Sequence, residues 1–306
     1  MARLEAFLER RRGVYDVLLV SRPPNLKALQ PLRARRPELF AGMRLVYDAE
    51  ALFALREIAE AAVRGQPMPR AAAQAHLARE IALARGASEV LVVSERDAAC
   101  FAAAGHRVSL LSHGMAVRRE VPGPATRQGL LFVGALHPDT PNEDGLLWFI
   151  EQVMPRLRER LPQPPVLSVV GVNRSPRLTR LASEHVRLLG PQEALAPHYD
   201  GARVFIAPVR FAGGVPAKVI EAAAQGIPVV ASALLVRQLG WIAGRDIQSA
   251  RDAEAFAAGV LRLLRDDALW QRQQAAAWQR CAERYAPERF AQVLRQALRG
   301  RPEESA

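Results

Sequence analysis

Residues 204–230, VFIAPVRFAGGVPAKVIEAAAQGIPVV, hold in succession a short apolar run, a glycine pair, an amphipathic run and a second apolar run. Val204–Pro208 is short and without polar alternation, as in a strand buried on both faces. Val215–Gln225 has apolar residues at helical spacing, with Pro216 near its first turn and Gly226 just past its end, the places where those two residues are favoured. Pro228–Ala231 then returns to a strand. Strand, glycine turn, helix and strand make one repeat of a parallel α/β sheet, in which ligands sit beyond the carboxyl ends of the strands. Gly213 and Gly214 fall at that end. So does Lys218, one of two lysines in a chain that carries 40 arginines. An ammonium is a compact charge that fits among phosphate oxygens, and glycines let backbone N–H groups approach an anion at a helix start. The loop reads as a diphosphate site, with a lone lysine on a solvated helix face as the plain alternative.

The same alternation extends in both directions. Upstream, strands are expected at Tyr15–Ser21, Met43–Tyr47, Glu89–Ser94 and Arg107–Leu111, with helices at Asn25–Arg35, Ala51–Arg64, Arg70–Arg85 and Glu95–Ala104. Charge, two prolines and a glycine interrupt the pattern at Arg118–Gln128, which reads as a linker. Beyond it, strands are expected at Gly129–Val133, Val166–Val170 and His185–Leu189, with helices at Asn142–Arg160, Pro176–Ser183 and Gln192–Tyr199. Three further helices are expected at Asp252–Leu264, Asp267–Glu283 and Pro287–Leu298. The fold class is α/β, with two Rossmann-like doubly wound domains facing each other across a cleft.

Composition narrows the function. Half of the 306 residues are apolar, enough for two cores, and the formal net charge is +11. That charge is compatible with phosphate-rich partners and with peripheral contact at an anionic membrane. The arginines are scattered along helical stretches with no nucleic-acid motif, so nucleic acid is not an expected partner. Cys100 and Cys281 stand far apart, without metal-ligand spacing, which suits a reducing compartment and implies no metal site. With no signal peptide or spanning segment legible, a cytoplasmic location is expected, peripheral to the inner membrane face.

The ordered pieces Leu131-Phe132-Val133-Gly134, Pro141-Asn142, Gly145, Val169-Val170-Gly171, Leu189-Gly190, the loop through Lys218-Val219-Ile220-Glu221-Ala222, and Gln225-Gly226-Ile227-Pro228 resemble the retaining GT-B glycosyltransferases of family 4 over Gly129–Phe290. More loosely, Tyr15-Asp16-Val17, Tyr47-Asp48-Ala49-Glu50 and Val93-Ser94-Glu95 resemble the partner domain of bacterial members that build surface polysaccharides. The resemblance implies a nucleotide-sugar-binding domain over 129–286, with Gly134, Arg210, Gly213, Gly214 and Lys218 around the diphosphate and Glu221 on the ribose. It implies a partial acceptor-side domain over 1–120, a linker at 121–128, and a terminal helix over 287–306 packing back on the first domain. Asp48 and His113 are the catalytic candidates, with a hinge histidine without chemistry as the alternative for His113. No cofactor beyond the donor is implied. The other partner is a glycan or lipid-linked acceptor.

Departures accompany the resemblance. The family's two glutamates eight apart are reduced to Glu221, with glycine at position 213. Ala212 and Pro216 replace residues of the variant glycine-lysine loop, and Ala135 stands where an arginine is common. Ala51-Leu52-Phe53 follows the Asp48 segment where some relatives place a histidine. About a hundred residues that usually precede Tyr15–Ser21 are not in this sequence, which points to a truncated reading frame, a piece of a larger polypeptide, or a first domain completed by another chain. An inactive nucleotide-sugar-binding module and a nucleotide-sugar epimerase of the same architecture are the alternative readings.

Overall fold

The computed structural model describes residues 2–300. They divide into two compact units: one runs to His113 and adds Gly213–Val215 and the chain from Glu288, and the other comprises Gly114–Ala212 and Pro216–Pro287. Each is built on a parallel sheet, α/β in class and Rossmann-like.

In the first unit, β1 (Val17–Ser21), β2 (Arg44–Glu50), β3 (Glu89–Val92) and β4 (Val108–Leu110) pair in sequence order. Alternation along β2 explains its two faces. Tyr47 joins Leu26, Leu29, Val90 and Phe101 in one core, whereas Val46 joins Leu91 and Leu111 in another. The second core is covered by the helix Pro287–Arg299 through Phe290, Val293, Leu294 and Ala297. Arg44 fixes that helix by donating to the carbonyls of Leu298 at 2.7 Å and Ala297 at 3.2 Å, groups left without intrahelical partners at a helix end. The helix Phe53–Val63 lacks a capping side chain of its own, because Leu52 precedes it. The buried carboxylate of Glu80 substitutes, accepting the N–H groups of Phe53 at 2.9 Å and Ala54 at 2.6 Å.

In the second unit, β5 (Gln128–Val133), β6 (Leu167–Val170), β7 (Val186–Gly190), β8 (Ala202–Ala207), β9 (Val229–Ser232) and β10 (Gln248–Ala250) form a sheet in the order β10-β9-β8-β5-β6-β7. The chain leaves β5 toward β6 and later returns on the other side through β8, so the topological switch point lies between β5 and β8. Every residue of β8 is buried, Arg203 included, and the other five are apolar. Leu130, Phe132, Leu146, Phe149, Val204, Ile206, Phe256 and Trp270 make up much of the core on one face.

Four differences from the sequence reading have physical causes. The helical run 141–160 contains a π-turn at Phe149–Val153, next to Pro155, whose missing N–H interrupts the regular ladder. Pro216 is the N-cap of the helix Ala217–Ala224 and not a residue of its first turn. Strand β10 escapes the hydrophobic pattern because Gln248 is fully buried as an amide, donating to Gln273 at 2.6 Å and accepting from Arg262. The proline-rich stretch 118–128 is tied into the second unit, and the boundary falls earlier, after His113. Arg118 holds Asp200 through two contacts, of 2.7 and 3.1 Å. The Arg127 guanidinium donates to the carbonyls of Pro122, Tyr199 and Ala202. Burial pushes its pKa down to about 10, with Asp200 opposing the shift. Charged residues and prolines signal a loop, but Arg118 on the Asp200 carboxylate and Arg127 on three backbone carbonyls convert this one into a fixed strap.

Candidate functional site

The site grows from the end of β5. After Val133 the chain turns at Gly134, and a Cβ there would lie 3.0 Å from Asn142 Nδ2, 3.4 Å from Lys218 Nζ and 3.4 Å from Phe132 Cε1. Glycine is needed for this close approach. Lys218, in the first turn of the helix Ala217–Ala224, donates to Asn142 Oδ1 and sits 4.5 Å from the centre of the Phe132 ring. Asn142 is held in turn by the carbonyl of Ala135, to which its Nδ2 donates at 2.8 Å. Among the described residues no carboxylate pairs with Lys218. The residue is partly buried, and desolvation pushes its pKa down to about 7. This is a cation with one amide oxygen, one aromatic face and no counter-charge.

The loop is braced from below. Thr140 caps the helix Pro141–Trp148, and the buried Glu143 accepts the Asp139 N–H at 2.7 Å and the Ser175 hydroxyl. Ser175 caps the next helix by accepting the Leu178 N–H at 3.1 Å. At the end of β6, a Cβ on Gly171 (φ 133°) would stand 2.3 Å from the Gly134 carbonyl oxygen. The two glycine turns are therefore pressed backbone to backbone, which fixes the position of the Gly134 peptide.

The remaining expected residues are dispersed. Arg210 is held by Asp144 in a bidentate pair, with contacts of 2.8 and 2.5 Å. Glu221, one turn beyond Lys218, is half-buried beside the Tyr199 hydroxyl, and burial raises its pKa. Gly213 and Gly214 group by their contacts with the first unit. In the first unit, both oxygens of Asp48 are engaged, Oδ2 by the Ser21 hydroxyl and Oδ1 by the Glu50 N–H, each at 3.1 Å. Burial raises the Asp48 pKa against those two bonds. His113 keeps Nε2 buried without a hydrogen-bond partner, and no hydrogen bond joins it to Asp48. Reasoning from sequence passed over Asn142, Phe132 and Asp144 as site residues. The available signal was position: Asn142 opens the helix that follows Gly134, where side chains face the strand exit.

Comparison with known proteins bears on the same region. Residues 127–266 match the family of glycosyl transferases group 1. The matched stretch contains Gly134, Asn142, Arg210, Lys218 and Glu221. The sequence matches no curated protein. Among solved structures, sucrose-phosphate synthase from Thermosynechococcus elongatus is similar with a TM-score of 0.73 and 20% identity, over 97% of this chain and 76% of that one. Anabaena HepE in complex with UDP and glucose is similar with a TM-score of 0.67 and 18% identity, over 97% and 80%. The UDP-forming α,α-trehalose-phosphate synthase of Burkholderia xenovorans, in complex with glucose-6-phosphate, gives 0.70 and 13%, over 98% and 77%. At these identities the structural likeness establishes the GT-B fold. Among the described residues no helix is long and apolar enough to cross a membrane, and no group of three or more His, Cys, Asp or Glu is placed to hold a metal ion.

Proposed function

We propose that the glycosyltransferase domain binds a nucleoside diphosphate sugar at the β5 exit, and that the protein transfers the sugar, with retention of anomeric configuration, to a glycan or lipid-linked acceptor in surface-polysaccharide synthesis. The observation that carries the donor assignment is Lys218. A desolvated ammonium without a carboxylate, beside a glycine that leaves the strand exit bare, is arranged to receive an anion. The match to glycosyl transferases group 1 and the UDP bound by the Anabaena neighbour support a diphosphate as that anion. As the bond from the sugar to the diphosphate breaks, the electron pair stays on the phosphate oxygen, and a fixed positive charge stabilises it. Asn142 holds the ammonium at the Gly134 turn before the ligand arrives. Asp48 and His113 remain the candidates on the acceptor side.

A second reading, a nucleotide-sugar-binding module without transfer, is favoured by Gly213 in place of an acid and by the engagement of Arg210 with Asp144. Nucleotide release from a panel of nucleotide sugars, with and without lipid-linked acceptors, separates the two. Turnover supports the transferase, and saturable binding without turnover supports the module.

The lysine also makes donor binding pH-dependent. Free Lys218 loses its proton near pH 7, and a bound diphosphate favours the charged form, so binding above pH 7 takes up a proton. Affinity for a nucleoside diphosphate is expected to fall above pH 7, by up to about tenfold per pH unit. Calorimetry at pH 8 in buffers of different ionisation enthalpy should report the proton uptake. A flat affinity between pH 6.5 and 9 would contradict the assignment. Without ligand the sign reverses: the unfolded chain holds this proton more tightly between 7 and 10.5, so the penalty of burying Lys218 is relieved as pH rises through that window.

A further inference from the structure

A cavity opens in the second unit, at the ends of β8, β9 and β10. Its volume is about 480 Å³, and it shares no lining residue with the cluster of Gly134, Asn142 and Lys218. Three arginines line it, Arg210 after β8, Arg237 in the helix Ala233–Leu239 and Arg251 after β10. Arg210 is neutralised by Asp144. Arg237 and Arg251 have no carboxylate partner among the described residues. The acid on the wall, Asp252, uses Oδ1 to cap the N–H of Ala255 at 2.8 Å. Trp148 forms an apolar side, its ring set edge-to-face against Phe256 at 6.0 Å.

We infer that this cavity is a second anion subsite, which takes the phosphate group of a small phosphorylated molecule other than the donor nucleotide. Two unpaired guanidinium groups lining one cavity offer planar forks that match phosphate oxygens, and long stems suit them to converge on a single group. The volume suits a ligand the size of a sugar phosphate, with Trp148 against its less polar part. The cavity lies at the carboxyl end of the sheet, the edge on which reactants meet in this architecture, so a phosphorylated acceptor is the natural occupant. The subsite depends on the proposed donor reading only for the claim that the two anion sites differ.

Inorganic phosphate serves as the probe, titrated against the full chain by calorimetry at constant ionic strength. Four samples separate the sites: wild type, the double variant Arg237→Gln/Arg251→Gln, Lys218→Ala, and wild type saturated with UDP. The subsite predicts phosphate binding that survives Lys218→Ala and UDP saturation and weakens at least tenfold in the double variant. Both arginines are exposed, so the variant should melt as wild type does. Binding lost in Lys218→Ala or displaced by UDP would place the phosphate at the donor site and overturn the inference. So would unchanged binding in the double variant, or no binding to wild type at tens of millimolar. Failure of UDP to bind, with the phosphate pattern intact, would count against the donor reading alone.

Discussion

Lys218→Ala is expected to weaken nucleoside diphosphate binding by about 1–3 kcal/mol, roughly five- to 150-fold, the scale of a lost charge-assisted contact. The loss should come without loss of fold. Lys218 pairs with no acid and is desolvated, so removing it relieves an unfavourable burial. The thermal midpoint at pH 7 should stay level or rise. Proton uptake on binding at pH 8 should disappear with the same substitution. Lys218→Arg should not rescue binding, because the ammonium occupies a gap bounded by the Phe132 ring at 4.5 Å and the space over Gly134 at 3.4 Å. A variant that binds as wild type does would remove the basis of the donor site.

Gly171→Ala is expected to destabilise the protein by about 2–4 kcal/mol, in the range of overpacking combined with backbone strain. The added methyl meets the Gly134 carbonyl oxygen at 2.3 Å and its carbon at 2.8 Å. Neither side can yield easily, since the Gly134 N–H donates to Val170 and the Gly171 N–H donates to Gly190, each at 2.9 Å. At φ 133° the backbone also resists any side chain. Denaturant midpoints should shift accordingly, whereas Gly201→Ala, where a Cβ meets nothing within 4 Å, should leave them unchanged. Displacing the Gly134 peptide should also weaken nucleoside diphosphate binding. An unshifted midpoint for Gly171→Ala would contradict the backbone contact that fixes the site.

The parts of the fold that could be read from the sequence are those in which burial and pattern coincide. Strand β8 is apolar at every position except Arg203, and the helix Ala217–Ala224 is framed by Pro216 and Gly226, so both were legible within a residue or two. What escaped is held together by polar groups. Gln248 in β10 and Arg127 in the strap are buried through hydrogen bonds to groups far along the chain, and no local pattern encodes such partners. The same limit applied at the site. Lys218 stood out because lysine is rare here and glycines precede it. That Arg210 would face Asp144, 66 residues away, and that Asn142 would hold Lys218 across 76 residues, depends on which strand ends the sheet order brings together.

The most direct measurement is a crystal structure of the protein with bound nucleoside diphosphate, using the nucleotide that calorimetry selects. The diphosphate is predicted at the end of β5, with an oxygen within hydrogen-bonding distance of Lys218 Nζ and the phosphates over Gly134, the Asn142 contact being shared or released. A diphosphate bound elsewhere on the chain, or at the β5 exit without contact to Lys218, would contradict the account.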